Sequence, residues 1–274
     1  MRTARRSRTQ CSVAVGDGQG RWFLVNASPD LRDQLEACPA LRPRANAMRH
    51  TPIAGVLLTN SDLDHVLGLF CLREGEPVRV YATNAVQTSA ATCLGLTQVL
   101  NSFCGVEWRE PSFAQFAPLP EADRGAELTY RAIPLPGTPT PFARNRVASG
   151  AHNVAYQFQD GGTGGTLLVA PDVAAVNEDL RQALATSDAI LFDGTFWSTN
   201  ELAQIKPTAP SAAEMGHLPI QGSSLELLRG LNARRKTFIH INNTNPILAL
   251  KSPERSAVEA AGIAVGSDGE EFCL

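Results

Sequence analysis

The stretch Ile53-Ala54-Gly55-Val56-Leu57-Leu58-Thr59-Asn60-Ser61-Asp62-Leu63-Asp64-His65 decides how this chain is read. Its first seven residues make an apolar run, continuous enough for a strand buried on both faces. Polar residues follow at once, and the pattern predicts a helix from Val66 to about Arg73. Carboxylates and an imidazole at the end of a buried strand stand where open sheets place their sites.

Two more strand ends repeat the pattern. Leu167-Leu168-Val169-Ala170-Pro171 runs into Asp172, and a strand predicted over Lys236 to Ile241 carries His240. His217 lies in the loop-like Glu214-Met215-Gly216-His217. Neutral imidazole and carboxylate suit a divalent first-row metal. Two histidines and one carboxylate on one face leave positions open for oxygen and substrate. The residues alone also allow a plainer account, with Asp64 capping a helix and His240 a satisfied core histidine.

Outward from these ends, strands alternate with helices. A hairpin is predicted from Cys11–Val15 and Arg21–Asn26 around the glycines of 16–20. Ser28 and Pro29 then suit the start of a helix to Ala37. A strand over Val78–Ala82 and a helix over Ala85–Leu100 follow. The proline-rich 101–150 reads as strands separated by long loops. A second hairpin, Val154–Gln159 with Thr166–Ala170, turns at Gly161–Gly165, which lacks Gly-Lys-Ser/Thr and is no phosphate cradle. Helices over Val176–Ala185, Leu225–Leu231 and Ser256–Ala261 flank a strand at Ala189–Asp193. Hairpins beside crossovers argue for mixed α/β sheets with helices outside. No linker divides residues 1–274, so one domain is expected.

Composition narrows the function. Of 274 residues, 43% are hydrophobic and 19% charged, enough apolar material for a large core. The net charge of -3 argues against nucleic acid as a partner. No apolar run reaches membrane-spanning length. The Arg-rich start, Met1 to Arg8, is no secretory signal. The six cysteines contain no Cys-x-x-Cys pair. They read as reduced thiols of a cytoplasmic protein, most of them small core residues.

Several segments together resemble the coenzyme PQQ synthesis protein B family. They are Arg8-Thr9-Gln10, Asn26-Ala27-Ser28-Pro29-Asp30, Leu58 to His65, Gly68-Leu69 and Leu72-Arg73-Glu74-Gly75. Phe192-Asp193-Gly194-Thr195, Met215-Gly216-His217 and His240-Ile241-Asn242-Asn243-Thr244-Asn245-Pro246 complete the match. The resemblance implies the metallo-β-lactamase fold, a four-layer αββα sandwich. That superfamily usually carries Thr-His-x-His-x-Asp-His. Here Asn60 and Asp62 stand at the first two histidine positions, while Asp64 and His65 are kept. The usual two-zinc hydrolase arrangement is therefore expected to be lost. One metal remains, held by Asp64, His65 and His240. Asp172 falls at the bridging-carboxylate position, and His217 is a further ligand candidate. Either of these two would move protons if it is not a ligand.

The implied activity is iron- and oxygen-dependent hydroxylation of a tyrosine ring in a small Glu-Tyr-derived precursor of pyrroloquinoline quinone (PQQ). Fe(II) is the expected ion, with zinc as the alternative. A metal-dependent hydrolase and a non-catalytic carrier of PQQ or its precursor are the competing functions. Arg144 and Arg146 are candidates to clamp a substrate carboxylate, against a plain solvated loop. His152-Asn153 falls where the superfamily often has a ligand. Asp193 is read either as orienting a ligand histidine or as a turn cap, and Asn242, Asn243 and Asn245 as fixing the loop that carries His240. Family members usually begin with an additional Gly-rich strand and a cysteine-rich segment that binds structural zinc. This sequence starts just before Arg8, so no structural zinc and an aggregation-prone sheet edge are expected.

Overall fold

Alternation along the strands builds two sheets that share one core. The structure, a computed structural model, describes residues 8–45, 50–120, 127–147 and 149–274. Most of the Arg-rich start lies outside the described residues. The first sheet holds β1 (Val13–Gly16), β2 (Trp22–Val25), β3 (Ile53–Leu57), β4 (Val78–Tyr81) and β5 (Val106–Arg109), adjacent in that order. β1 is antiparallel to β2, as the glycine turn dictates, and the other pairs are parallel.

The second sheet holds β6 (Ala117–Pro118), β7 (Leu128–Leu135), β8 (Asn153–Asp160), β9 (Thr166–Ala170), β10 (Ala189–Asp193), β11 (Arg235–Ile239) and β12 (Ala264–Val265). Its order runs β12-β11-β10-β9-β8-β7-β6. β6 to β9 pair antiparallel and β9 to β12 parallel, so this sheet is mixed.

Period-two burial stacks the two sheets. Phe23, Val25, Leu57 and Tyr81 of the first meet Tyr130, Tyr156, Phe158, Val169 and Leu191 of the second. Their alternates face outward. Leu24, Val56, Leu58 and Val80 pack on α1 (Leu31–Ala37), α2 (Leu63–Val66), α3 (Asn84–Thr88) and α4 (Leu96–Asn101). Leu168, Ala170, Ile190, Phe192 and Phe238 pack on α5 (Glu178–Thr186), α6 (Leu225–Arg229) and α7 (Pro253–Ala260). The result is the expected helix–sheet–sheet–helix sandwich. Among the described residues no helix is long and apolar enough to cross a membrane.

Three expectations need correction. The helix predicted over Ala85–Leu100 is broken: a π-turn at Ser89–Cys93 gives way to Gly95 at φ 77, a left-handed position that stops one helix before α4 begins. The helix predicted from Val66 starts earlier, at Leu63, with Asp62 at its N-cap, and tightens to a 3-10 turn over Leu67–Leu72. The cysteines are not core residues. Cys71 and Cys273 are exposed and the other four only partly buried, because each lies at an element end, a turn or a terminal segment.

Candidate metal centre

Four parallel strands end on the same side of the sandwich, and their ends supply the site. β3 leads through Asn60 into α2, whose first turn carries Asp64 and His65. Asp172 lies two residues beyond β9, Asp193 is the last residue of β10, and His240 follows β11 directly. The α2 turn is clamped to the loop after β2: Ala27 N donates to the His65 carbonyl at 2.7 Å, and Gly68 N to the Ala27 carbonyl at 2.9 Å. That approach demands glycine, since a Cβ at Gly68 would lie 2.2 Å from the Ser28 carbonyl oxygen. His240 adopts φ 53, a left-handed conformation that a non-glycine residue keeps only when its surroundings hold it. Asn245 helps to do so. Its Nδ2 donates to the Gly194 carbonyl at 2.9 Å, and its Oδ1 accepts from Ile247 N at 3.1 Å.

The side chains converge in two overlapping triplets. Asp64, His65 and His240 form one, Asp172, His217 and His240 the other, and within each the donor atoms lie within 4.8 Å of one another. His240 Nε2 is 3.1 Å from Asp64 Oδ2. His65 Nε2 is 3.8 Å from the same oxygen, and His217 Nε2 is 3.8 Å from Asp172 Oδ1.

Hydrogen bonds select one tautomer for all three rings. His65 Nδ1 donates to Asn60 Oδ1 at 2.8 Å. His217 Nδ1 donates to Asp193 Oδ2 at 2.8 Å. His240 Nδ1 donates to Thr195 Oγ1 at 2.8 Å. With Nδ1 committed in each ring, Nε2 is left to face the interior, where an ion could take the place of its proton, the arrangement seen when a polar partner orients a ligating histidine. His65 Nε2 and Asp172 Oδ2 are buried without a hydrogen-bond partner. Buried polar atoms are nearly always paired, so the orphaned His65 Nε2, 3.8 Å from Asp64 Oδ2, and the orphaned Oδ2 of Asp172, whose Oδ1 faces His217 Nε2, fit a small cation.

The electrostatics agree. Burial opposes charge on His240, but the Asp172 carboxylate and the hydrogen bond to Asp64 raise its pKa to about 10. His217, likewise opposed by burial, is raised by Asp193. Burial pushes Asp64 up, yet the hydrogen bond from His240 and the charge of His65 hold it below the usual carboxylate range. Burial lowers the pKa of His65. Asp62 is raised to about 7 by burial and by the Asp172 and Asp64 carboxylates. Without an ion, His217 and His240 carry the charge that balances this crowd of carboxylates.

The expected residues are thus brought together: Asp64, His65, Asp172, His217 and His240 share one enclosure. Asp193 makes the bonds that both readings of it require: Oδ2 accepts from His217 Nδ1 at 2.8 Å, and Oδ1 accepts from Thr195 N at 3.0 Å. His152 is buried and lines the same cavity outside both triplets. Its neighbour Asn153 donates to the Asp172 carbonyl at 2.7 Å. Arg144 lines the cavity from an exposed turn, whereas Arg146 is exposed on that turn and is not part of the lining. Sequence reading missed two residues. Asn60 appeared only as a substituted histidine and proves to anchor His65. Thr195 anchors His240 from a position 45 residues away in sequence. The polar spacing Asp193-x-Thr195 at a strand end was the available signal.

A family model described as "Beta-lactamase superfamily domain" matches residues 21–241. Coenzyme PQQ synthesis protein B of Azotobacter vinelandii is 40% identical over 275 residues, covering 97% of this chain and 88% of that protein. The protein of the same name from Cupriavidus necator is also 40% identical, with 97% and 88% covered. The crystal structure of Zn2+-bound PqqB from Methylobacterium extorquens is similar with a TM-score of 0.87 at 35% identity, covering 99% of this chain and 90% of that one. A diphosphatase from the PhnP family, with a TM-score of 0.64 at 18% identity, shares the fold. Through its motifs, its metallo-β-lactamase sandwich and its likeness over nearly the whole length, this chain belongs to the coenzyme PQQ synthesis protein B family.

Proposed function

We propose that this chain acts in PQQ biosynthesis as a mononuclear iron oxygenase, hydroxylating the tyrosine ring of a small Glu-Tyr-derived precursor. The observation that carries the reading is the donor set: three imidazole Nε2 atoms and the carboxylates of Asp64 and Asp172, with no thiolate among them. Nitrogen and oxygen donors of this kind suit ferrous iron. Asn60 and Asp62 stand at two ligand positions of the superfamily signature, which favours one ion over the pair that a two-metal hydrolase uses. When bound, ferrous iron supplies the one-electron chemistry that lets dioxygen react with an aromatic ring.

The chain's own residues do the rest. Asp64, His65 and His240 hold the ion. Asp172 and His217 complete the donor set around it, and either one, where it does not ligate, takes up or releases protons beside the reacting ring. Phe196 is buried, lines the cavity and packs edge-on against His217 at 5.7 Å between centroids, an apolar wall that excludes water. Arg144, on the cavity wall, receives a substrate carboxylate; Arg146, outside the lining, does not share that role.

Zinc is the second reading, because the Methylobacterium extorquens relative is Zn2+-bound. Zinc in these donors would activate water and favour hydrolysis. Oxygen uptake separates the readings. Protein loaded anaerobically with Fe(II), given a Glu-Tyr peptide and ascorbate as electron donor, is expected to consume oxygen and yield a hydroxylated ring. Peptide binding without oxygen consumption would favour a carrier, and turnover only with zinc a hydrolase; either result overturns the oxygenase.

A further inference from the structure

We propose that Asp193 is a positioning residue that sets three ligands at once, so that Asp172, His217 and His240 receive an ion as a single unit. Asp193 ends β10 and is completely buried. A carboxylate has about four acceptor sites, and here every one is used. Oδ2 accepts from His217 Nδ1 at 2.8 Å and from Val173 N at 2.9 Å. Oδ1 accepts from Thr195 N at 3.0 Å and from Thr195 Oγ1 at 2.6 Å.

Each bond leads to a ligand. The first holds the His217 ring. The second fixes the backbone beside Asp172. The third and fourth fix the backbone and hydroxyl of Thr195. Of the two acceptors in reach, Asp193 Oδ1 at 2.6 Å is charged and closer than the His240 carbonyl at 2.9 Å, so the hydroxyl donates to Asp193 and accepts from His240 Nδ1 at 2.8 Å. One side chain on one strand end thereby determines three donors from three other segments. His65 has a separate anchor, Asn60 on the loop after β3 of the other sheet, and meets this unit through Asp172, whose Oδ2 lies 3.6 Å from its Nδ1.

Asparagine at 193 would point an N–H at groups that are themselves donors. Relief requires His217 to move its proton to Nε2, which removes that atom as a ligand. Valine at 195 keeps the shape and deletes the hydroxyl, leaving His240 Nδ1 unpaired. Either change acts on the same unit, so the two together should do little more than Asp193→Asn alone.

The inference rests on the metal-centre reading and not on the oxygenase chemistry. Its test is Co(II) titration of metal-free full-length protein against a chromophoric chelator, with the visible Co(II) spectrum as second readout. Thr195→Val should weaken binding about 10–100-fold and alter the spectrum, and Thr195→Ser should restore both. Asp193→Asn should weaken binding at least as much, the double variant no further, and Asn60→Ala should multiply with either. Metal-free Thr195→Val should still unfold cooperatively but at a lower temperature, since buried groups lose their hydrogen-bond partner. Should Asp193→Asn fail to fold, the valine and serine variants decide alone. Wild-type affinity and spectrum in Thr195→Val, or fully multiplicative Asp193 and Thr195 effects, would overturn the proposal. Failure of the wild type to bind Co(II) overturns the metal centre with it, whereas Co(II) binding without iron-dependent oxygen uptake overturns the oxygenase only.

Discussion

Asn60 Oδ1 lies 2.8 Å from His65 Nδ1, so the Asn60 side chain fixes the ring of a candidate ligand. The bond faces the His65 Nε2 lone pair toward Asp64 and the interior. Asn60→Ala removes it and leaves Thr59 Oγ1 at 3.3 Å and Asp172 Oδ2 at 3.6 Å beside Nδ1, neither at normal hydrogen-bond distance. The expected result is a metal affinity lower by about 10–100-fold, the usual effect of losing such a partner. Chelator competition on the metal-free variant measures it, and wild-type affinity would deny Asn60 this role.

Gly68 secures the same turn by contact. Its missing Cβ lets the α2 segment lie against the backbone of Ala27 and Ser28, where a methyl group would meet the Ser28 carbonyl at 2.2 Å. Backbone on both sides cannot yield cheaply. Gly68→Ala should cost about 1–3 kcal/mol, at the upper end or beyond for so close a contact. Urea unfolding of the metal-free protein provides the check, with an unchanged midpoint as the contrary result.

Acidity predicts a different signature. An ordinary histidine titrates near about 6.5. In the metal-free protein, although burial opposes it, Asp172 and the bond to Asp64 raise His240 to about 10. The folded state therefore binds this proton more tightly than the unfolded one. The stability so gained is complete below about pH 6.5 and is lost as the pH rises through about 10. His217, also raised, acts in the same direction. Metal-free protein should melt at falling temperatures across that window, while loaded protein, whose ion replaces the protons, should not. Parallel pH profiles for the two forms would count against this assignment.

Asn245 tests the loop that keeps His240 in its left-handed conformation. It is completely buried and spans from the Gly194 carbonyl to Ile247 N. Asn245→Ala leaves those groups unpaired, at about 1–3 kcal/mol, and should also loosen metal binding through His240. A loss of stability with undiminished metal affinity would separate the loop from the site.

How much of this was legible beforehand follows from which forces act locally. The strand at 189–193 was read to its last residue, because a short apolar run with a polar stop has one plausible structure. The residues that converge in the candidate centre were legible for the same reason, as polar residues at the ends of buried strands. The break at Gly95 was not: helical periodicity runs through it, and only the φ of one residue ends the helix. The anchors were illegible in another way. Thr195 and His240 meet across 45 residues because β10 and β11 are neighbours, which pattern alone does not specify. The cysteines misled because hydrophobic character was weighed without position.

The central claim is that these five side chains hold one ion, and metal content tests it most directly. Protein purified without oxygen from iron-supplemented cells, and its His240→Ala variant, should be analysed for iron and zinc per chain. Because His240 belongs to both triplets, the account predicts roughly one equivalent of iron in the wild type and almost none in the variant. A wild type without metal, or a variant that retains the full complement, would contradict it.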